Sequence, residues 1–153
     1  MSGYDNAAKF WPWCVVRDLD GNAPCAAELV SRLLPHPAEH MRLRIAVRSC
    51  EAWMMADRER SGRFLSIARS VVPSSPDDLD DAKETLVNLA RRSRRRDVRE
   101  GLVPGERSGR RVGPDYTSLM IEYIHKRWRP DVAASSSDSL RRCMESLKSL
   151  AEN

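Results

Sequence analysis

Only two stretches of this chain read as β-strands, and a helical stretch lies between them. The first, at about 13–19, is built on the apolar run Trp13-Cys14-Val15-Val16, with Phe10, Trp11 and Trp13 adding aromatic bulk. The second starts at Met41, where Leu43, Ile45 and Val47 alternate with Arg42, Arg44, Ala46 and Arg48. That period of two is the mark of a strand. Between them, about 24–34 carries Ala27, Val30, Leu33 and Leu34 at helical spacing, and Pro35 and Pro37 end the pattern. Strand, helix and strand make a βαβ unit with parallel strands. Beyond it the pattern is helical, so the expected fold is α/β and helix-rich, a small parallel sheet flanked by helices. Two strands make a thin sheet, because a parallel pair normally sits in a larger buried one. A partner chain or an N-terminal strand is expected to complete it.

The rest of the chain reads as helices and loops. A short helix runs from Glu51 to about Arg58 with Trp53 and Met54 inward, and a further turn or two runs from Gly62 to Arg69. Pro73-Ser74-Ser75-Pro76 is a loop. The acids at 77, 78, 80 and 81 suit the positive end of a helix at about 80–92. Residues 93–113 are rich in Arg and Gly and partly irregular. Pro114 opens a helix to about 128, with Tyr116, Leu119, Met120, Tyr123, Ile124 and Trp128 on a wide apolar face. The last helix, about 138–151, buries Leu140, Cys143, Met144, Leu147 and Leu150. At 153 residues a single domain is expected. Residues 1–60 would form its α/β core and 78–153 its helical part.

Several classes are disfavoured. No stretch approaches the ~18 apolar residues of a membrane span. The start, Met1-Ser2-Gly3-Tyr4-Asp5-Asn6, lacks a basic region followed by an apolar one, so a cytoplasmic location is expected. Cys14, Cys25, Cys50 and Cys143 are scattered and are expected to be reduced and mostly buried. His36 and His40 have a zinc-like spacing, but prolines bracket the first and no cysteine lies nearby, so a solvated loop is expected.

Two features carry chemistry. Asp18-Leu19-Asp20 ends the first strand, and residues two apart on a strand share a face. Ligands of parallel α/β sheets bind at the carboxyl ends of strands, and carboxylate pairs suit Mg²⁺. The plain alternative is turn chemistry, since Asp before Gly21-Asn22 favours a turn. Glu51 follows the second strand and could join the pair as a third ligand or a catalytic base, or could simply complement a helix N-terminus. Asp57 reads as a surface or capping residue. No serine or cysteine has a plausible histidine partner for acyl transfer.

The second feature is charge. The chain has a net charge of +4, but residues 91–111 alone carry nine arginines against three acids. Lys83, Arg91, Arg92, Arg94, Arg95, Arg96, Arg110 and Arg111 are candidate phosphate contacts, giving salt-sensitive binding indifferent to sequence. The alternative is a solvated basic helix end.

Taken together, Asn6-Ala7-Ala8-Lys9, Pro12-Trp13, Arg17-Asp18-Leu19-Asp20, Arg44-Ile45-Ala46-Val47-Arg48, Glu51-Ala52-Trp53-Met54-Met55-Ala56-Asp57, Lys83-Glu84-Thr85-Leu86, Gly113-Pro114-Asp115-Tyr116 and Ser139-Leu140-Arg141-Arg142-Cys143 resemble a bacterial family, the domain of unknown function numbered 4276. That family is Toprim-like, and the resemblance spans nearly the whole chain. It implies a metal-dependent phosphodiester enzyme with Asp18 and Asp20 as the Asp-x-Asp half of a Mg²⁺ or Mn²⁺ site. Glu51 would supply a third acid. The resemblance also implies an extra strand and helix before Asn6, carrying a glutamate that has no counterpart here, so the core would be N-terminally truncated. Nuclease activity and a role in phage defence beside a partner ATPase are its corollaries. The unpaired sheet edge, apart from the resemblance, suggests a homo-oligomer that completes the sheet. The readings that compete with the resemblance are a non-catalytic nucleic-acid-binding module and an interaction subunit.

Overall fold

The computed structural model describes residues 1–152. It is helix-rich with one small parallel sheet. Strand β1 (Trp13–Asp18) pairs with β2 (Met41–Ala46) in parallel, Trp13 opposite Met41 and Asp18 opposite Ala46. Before them lies a helix, α1 (Ser2–Ala7), which the sequence did not announce. The crossover helix is α2 (Ala26–Leu33). It begins two residues later than expected, because Pro24 stands ahead of the N-cap residue Cys25 and not inside the first turn. Its one fully buried side chain is Leu29, while Ala27, placed on the apolar face by spacing, is exposed.

The helical part starts at the carboxyl end of β2. Helix α3 (Cys50–Ala56) breaks at Asp57, which caps α4 (Arg58–Leu65) by accepting from Arg60 N–H at 3.2 Å. Single 3₁₀ turns at Arg69–Val71 and Pro76–Asp78 lead to α5 (Ala82–Arg91). Asp81 caps α5, accepting from Glu84 N–H at 2.8 Å. The Arg-rich segment is more ordered than expected and holds α6 (Arg96–Leu102). Then come α7 (Tyr116–Lys126), a short α8 (Pro130–Ala134) and α9 (Asp138–Ala151). None of the helices among the described residues is long and apolar enough to cross a membrane.

Three apolar clusters fill this frame. One lies between the sheet, α1 and α2, on Ala8, Leu19, Leu29, Met41, Leu43 and Ile45. The largest joins α3 to α7 around Met55, Phe64, Leu65, Leu86, Leu102, Met120 and Tyr123. A third packs α9 on the other face of β2 through Ala46, Trp53, Ala133, Leu140 and Cys143. Leu147, expected inside, is 43% exposed, although Leu140, Cys143 and Leu150 on the same helix are buried. Of the four free thiols only Cys143 is buried; Cys14 and Cys50 are half-buried and Cys25 is exposed, so the expectation of mostly buried thiols fails.

Asp57 also departs from expectation. It caps a helix, as anticipated, but it is 0% exposed and not on the surface. Arg129 clamps it with two bonds of 2.8 Å, from Nε and from Nη2, and also reaches Glu59 at 2.9 Å. The pair fixes α8 against the α3–α4 corner, and a buried carboxylate needs such a partner. Asp57→Ala should therefore cost about 3 kcal/mol, roughly 6–12 °C of Tm. Calorimetry checks this, and a shift under ~2 °C would contradict it.

Candidate functional site

Chain direction brings Asp18 and Glu51 to one corner. Both strands end there, and α3 starts there. Asp18 Oδ1 accepts from Cys50 N–H at 2.9 Å, so the carboxylate of β1 caps α3 from outside. This suits both parties, since a helix N-terminus leaves orphan donors and a positive dipole end. Burial and the Asp18 and Glu51 charges push the Cys50 thiol up to about 12.

Glu51 is 6% exposed. Ser49 Oγ donates to its Oε2 at 2.7 Å, and Tyr116 OH donates to its Oε1 at 2.8 Å. Lys83 Nζ lies 3.4 Å from Oε1. Burial raises the Glu51 pKa, but the Ser49 and Tyr116 hydrogen bonds and the Lys83 charge outweigh it and hold the carboxyl below its usual value. Burial and the Glu51 and Asp18 charges push the Tyr116 phenol in the opposite direction, above its ordinary value, so it stays a donor. One carboxylate thus ties α3 to α5 and α7.

Asp20 stands apart from this arrangement. Strand β1 ends at Asp18, and Asp20 sits in a left-handed turn at φ 46° beside Gly21 at φ 68°. The pleat that would set the two aspartates side by side stops before it reaches Asp20. Among the described residues, no group of three or more His, Cys, Asp or Glu side chains gathers as a metal site. As arranged, Asp18, Asp20 and Glu51 do not fit a Mg²⁺ or Mn²⁺ ion. Asp18 is engaged by the α3 backbone, and both oxygens of Glu51 are already bonded.

The basic residues divide into two sets. Lys83 and Arg91 from α5 meet Arg110 and Arg111 across a cleft of about 280 Å³, with Glu84, Val87, Asn88 and Pro104 completing the walls. Residues 103–112 form the loop that carries Arg110 and Arg111, and its base is pinched shut. Gly113 N–H donates to Leu102 C=O at 2.9 Å and Asp115 N–H to Gly101 C=O at 3.0 Å. A Cβ on Gly113 would stand 2.3 Å from Gly101 O, so only glycine fits that crossing. Arg111 is held by Asp81. Arg91 and Arg110 have no side-chain partner among the described residues.

Arg92, Arg94, Arg95 and Arg96 lie outside the cleft. Arg95 pairs with Asp97, and Arg96 Nε donates to Glu100 at 2.8 Å, so half of this set is neutralised locally on α6. Arg92 and Arg94 are exposed. Spacing alone missed Ser49 as a partner of Glu51. Tyr116 reads from sequence as core, and it is buried, but its hydroxyl also tethers Glu51 from α7. The signal that could have found it is a tyrosine, not a phenylalanine, at the start of an apolar helix face, because a buried phenol needs a partner. Cys14 was also missed. Hydrogen bonding to Cys143 on α9 outweighs burial and, with Arg44 and Arg42 nearby, lowers the Cys14 thiol to about 7.

Comparison with family models, curated proteins and solved structures yields no match to the chain.

The Glu51 cluster makes stability depend on pH. Its carboxyl is held below the unfolded value of about 4.3, so its contribution is complete above that pH and is lost as pH falls through the folded-state value. Glu51→Gln should be less stable than the parent at pH 7, and the gap should close below about pH 4. Tyr116→Phe should cost about 1–3 kcal/mol at neutral pH. Urea titrations across pH measure both, and a gap that widens on acidification would contradict the account.

Proposed function

We propose that the chain is a nucleic-acid-binding module that grips the phosphate backbone in the cleft between α5 and the 103–112 loop. The observation that supports it is the convergence of Lys83, Arg91, Arg110 and Arg111 on one concave site. Four cationic side chains face a single acid there, Glu84. Arg91 and Arg110 are unspent on internal partners, so they are free to displace counterions from phosphates. Arginine forks also suit phosphate oxygens geometrically. Nothing in this set reads base edges, so binding should be indifferent to sequence.

A second reading keeps the Toprim-like resemblance: Mg²⁺- or Mn²⁺-dependent phosphodiester cleavage centred on Asp18, Asp20 and Glu51. What favours it is that Asp18 bonds Cys50, the residue next to Glu51, so two of the three acids share a corner beside Lys83. It requires Asp20 to turn inward and Glu51 to exchange its tethers for a metal. A role in phage defence belongs to that reading.

Fluorescence anisotropy with a labelled single-stranded oligonucleotide separates these. With two phosphates neutralised by the free Arg91 and Arg110, log K against log salt should have a slope of about −1.4. Arg91→Ala with Arg110→Ala should weaken binding and flatten the slope by about 1.4, while Asp18→Ala leaves binding unchanged. Affinity and salt slope left unchanged by the double arginine variant would overturn the module. Cleavage that needs Mn²⁺ and vanishes in Asp18→Ala would establish the second reading in its place.

A further inference from the structure

The parallel ladder uses alternate backbone groups. Trp13 N–H donates to His40 C=O at 2.9 Å, and Leu19 N–H to Ala46 C=O at 3.1 Å. With Trp13 opposite Met41, even-numbered residues of β2 turn their backbone groups to β1, and odd-numbered ones turn away. At the ends of this outer edge the groups find partners: Met41 N–H donates to Ala38 C=O, and Val47 N–H to Ser139 Oγ at 3.3 Å. Between them, the N–H and C=O of Leu43 and Ile45 have no partner among the described residues. Both residues are buried, at 4% and 5% exposure. Orphaned strand groups inside a fold are rare, since each costs as much as a lost hydrogen bond.

These groups do not face a wall. Leu43, Ile45 and Val47 line a cavity of about 620 Å³ between α2 and the start of α9. The size falls among ligand pockets, which run about 300–1,000 Å³. Its α2 wall is small and apolar, with Ala26, Ala27 and Val30. Small residues there leave width for another backbone. Arg44 also lines the cavity, and its Nε is buried with no hydrogen-bond partner. By contrast, Arg142 on the α9 wall is already bonded to Asp138 at 2.7 Å. The two acids of the lining, Asp77 and Asp138, are likewise engaged, by Ser137 and Ser139 and by Arg142. The Arg44 Nε–H is left without an acceptor, and a carboxylate would give it the stronger, charge-assisted bond. The outer edge of β1 makes no equal demand, because Val16, whose backbone groups turn to that edge, is 42% exposed.

We infer that this cavity is a strand-addition site, in which an extended, acidic peptide segment of a partner protein lies along the free edge of β2. Its backbone exchanges hydrogen bonds with Leu43 and Ile45, and a carboxylate on it accepts from Arg44. Main-chain bonds supply affinity in this mode and the side-chain pocket supplies selectivity. A third strand also relieves the weakness of an isolated parallel pair. The cavity shares no lining residue with the Lys83 cleft and stands independently of the nucleic-acid reading.

The probe is a capped, fluorescein-labelled Thr-Val-Glu-Val-Thr peptide, followed by polarisation. Methylating the amides at one alternate set of positions should abolish binding, and methylating the other set should leave it, because a strand bonds its neighbour through every second residue. Replacing the central Glu by Gln should weaken binding about tenfold to the parent, but not to Arg44→Gln. Ala27→Trp, on the exposed face of α2, should block the cavity while circular dichroism stays unchanged. Amide hydrogen exchange at Leu43 and Ile45 should slow with peptide bound. Absence of binding at millimolar peptide, or equal affinity for the two methylated isomers, would overturn the inference. A dimer of the free chain abolished by Ala27→Trp would also overturn it, since the occupant would then be a second copy.

Discussion

A buried, charged glutamate organises this molecule. Glu51 accepts from Ser49 on its own chain segment and from Tyr116 at the start of α7, and it pairs with Lys83 on α5. An ionised carboxylate taken out of water is tolerated only when its lone pairs are filled. The surrounding helices are placed to fill them. Asp18 fastens the same corner from the strand side through Cys50 N–H. The sheet and the helical part meet where two carboxylates are satisfied, and apolar packing alone does not define that junction. Lys83 links this corner to the basic cleft, because the side chain that neutralises Glu51 also lines it.

That placement alters how the arginine-rich segment is read. Charge density in a linear sequence overstates the field a ligand meets, since neighbouring acids cancel part of it. At the start of α6, Arg95 and Arg96 are spent on Asp97 and Glu100, two and four residues further along the chain. The cationic surface that remains concave comes from parts of the chain far apart in sequence, α5 and the 103–112 loop. The Gly113 crossing holds the loop against α6, so Arg110 and Arg111 are presented by a closed base and not by a free tail.

Much of the architecture was legible without coordinates. Alternation at Leu43, Ile45 and Val47 marked β2, and the apolar run at Trp13–Val16 marked β1. Periodicity located α5, α7 and α9 to within a few residues. The helix at 96–102 was hidden because its buried face is short, only Val98, Gly101 and Leu102. Leu147 was misplaced because periodicity reports which face of a helix is apolar and not whether another element covers that face along its whole length. The site was legible as a set of residue types but not as a geometry. A strand's period of two fails one residue beyond its end, and that single left-handed turn separates Asp20 from Asp18. Likewise, spacing cannot show that Glu51 meets a tyrosine 65 residues away.

The central claim is that the cleft shared by α5 and the 103–112 loop is where phosphate backbone binds. A ¹H–¹⁵N correlation titration of the full chain with a short single-stranded oligonucleotide tests it most directly. Shifts should concentrate on Lys83, Asn88, Arg91, Arg110 and Arg111 and fade as salt rises. Shifts confined to Arg94, Arg95 and Arg96 on the opposite stretch, or none at all at low salt, would contradict it.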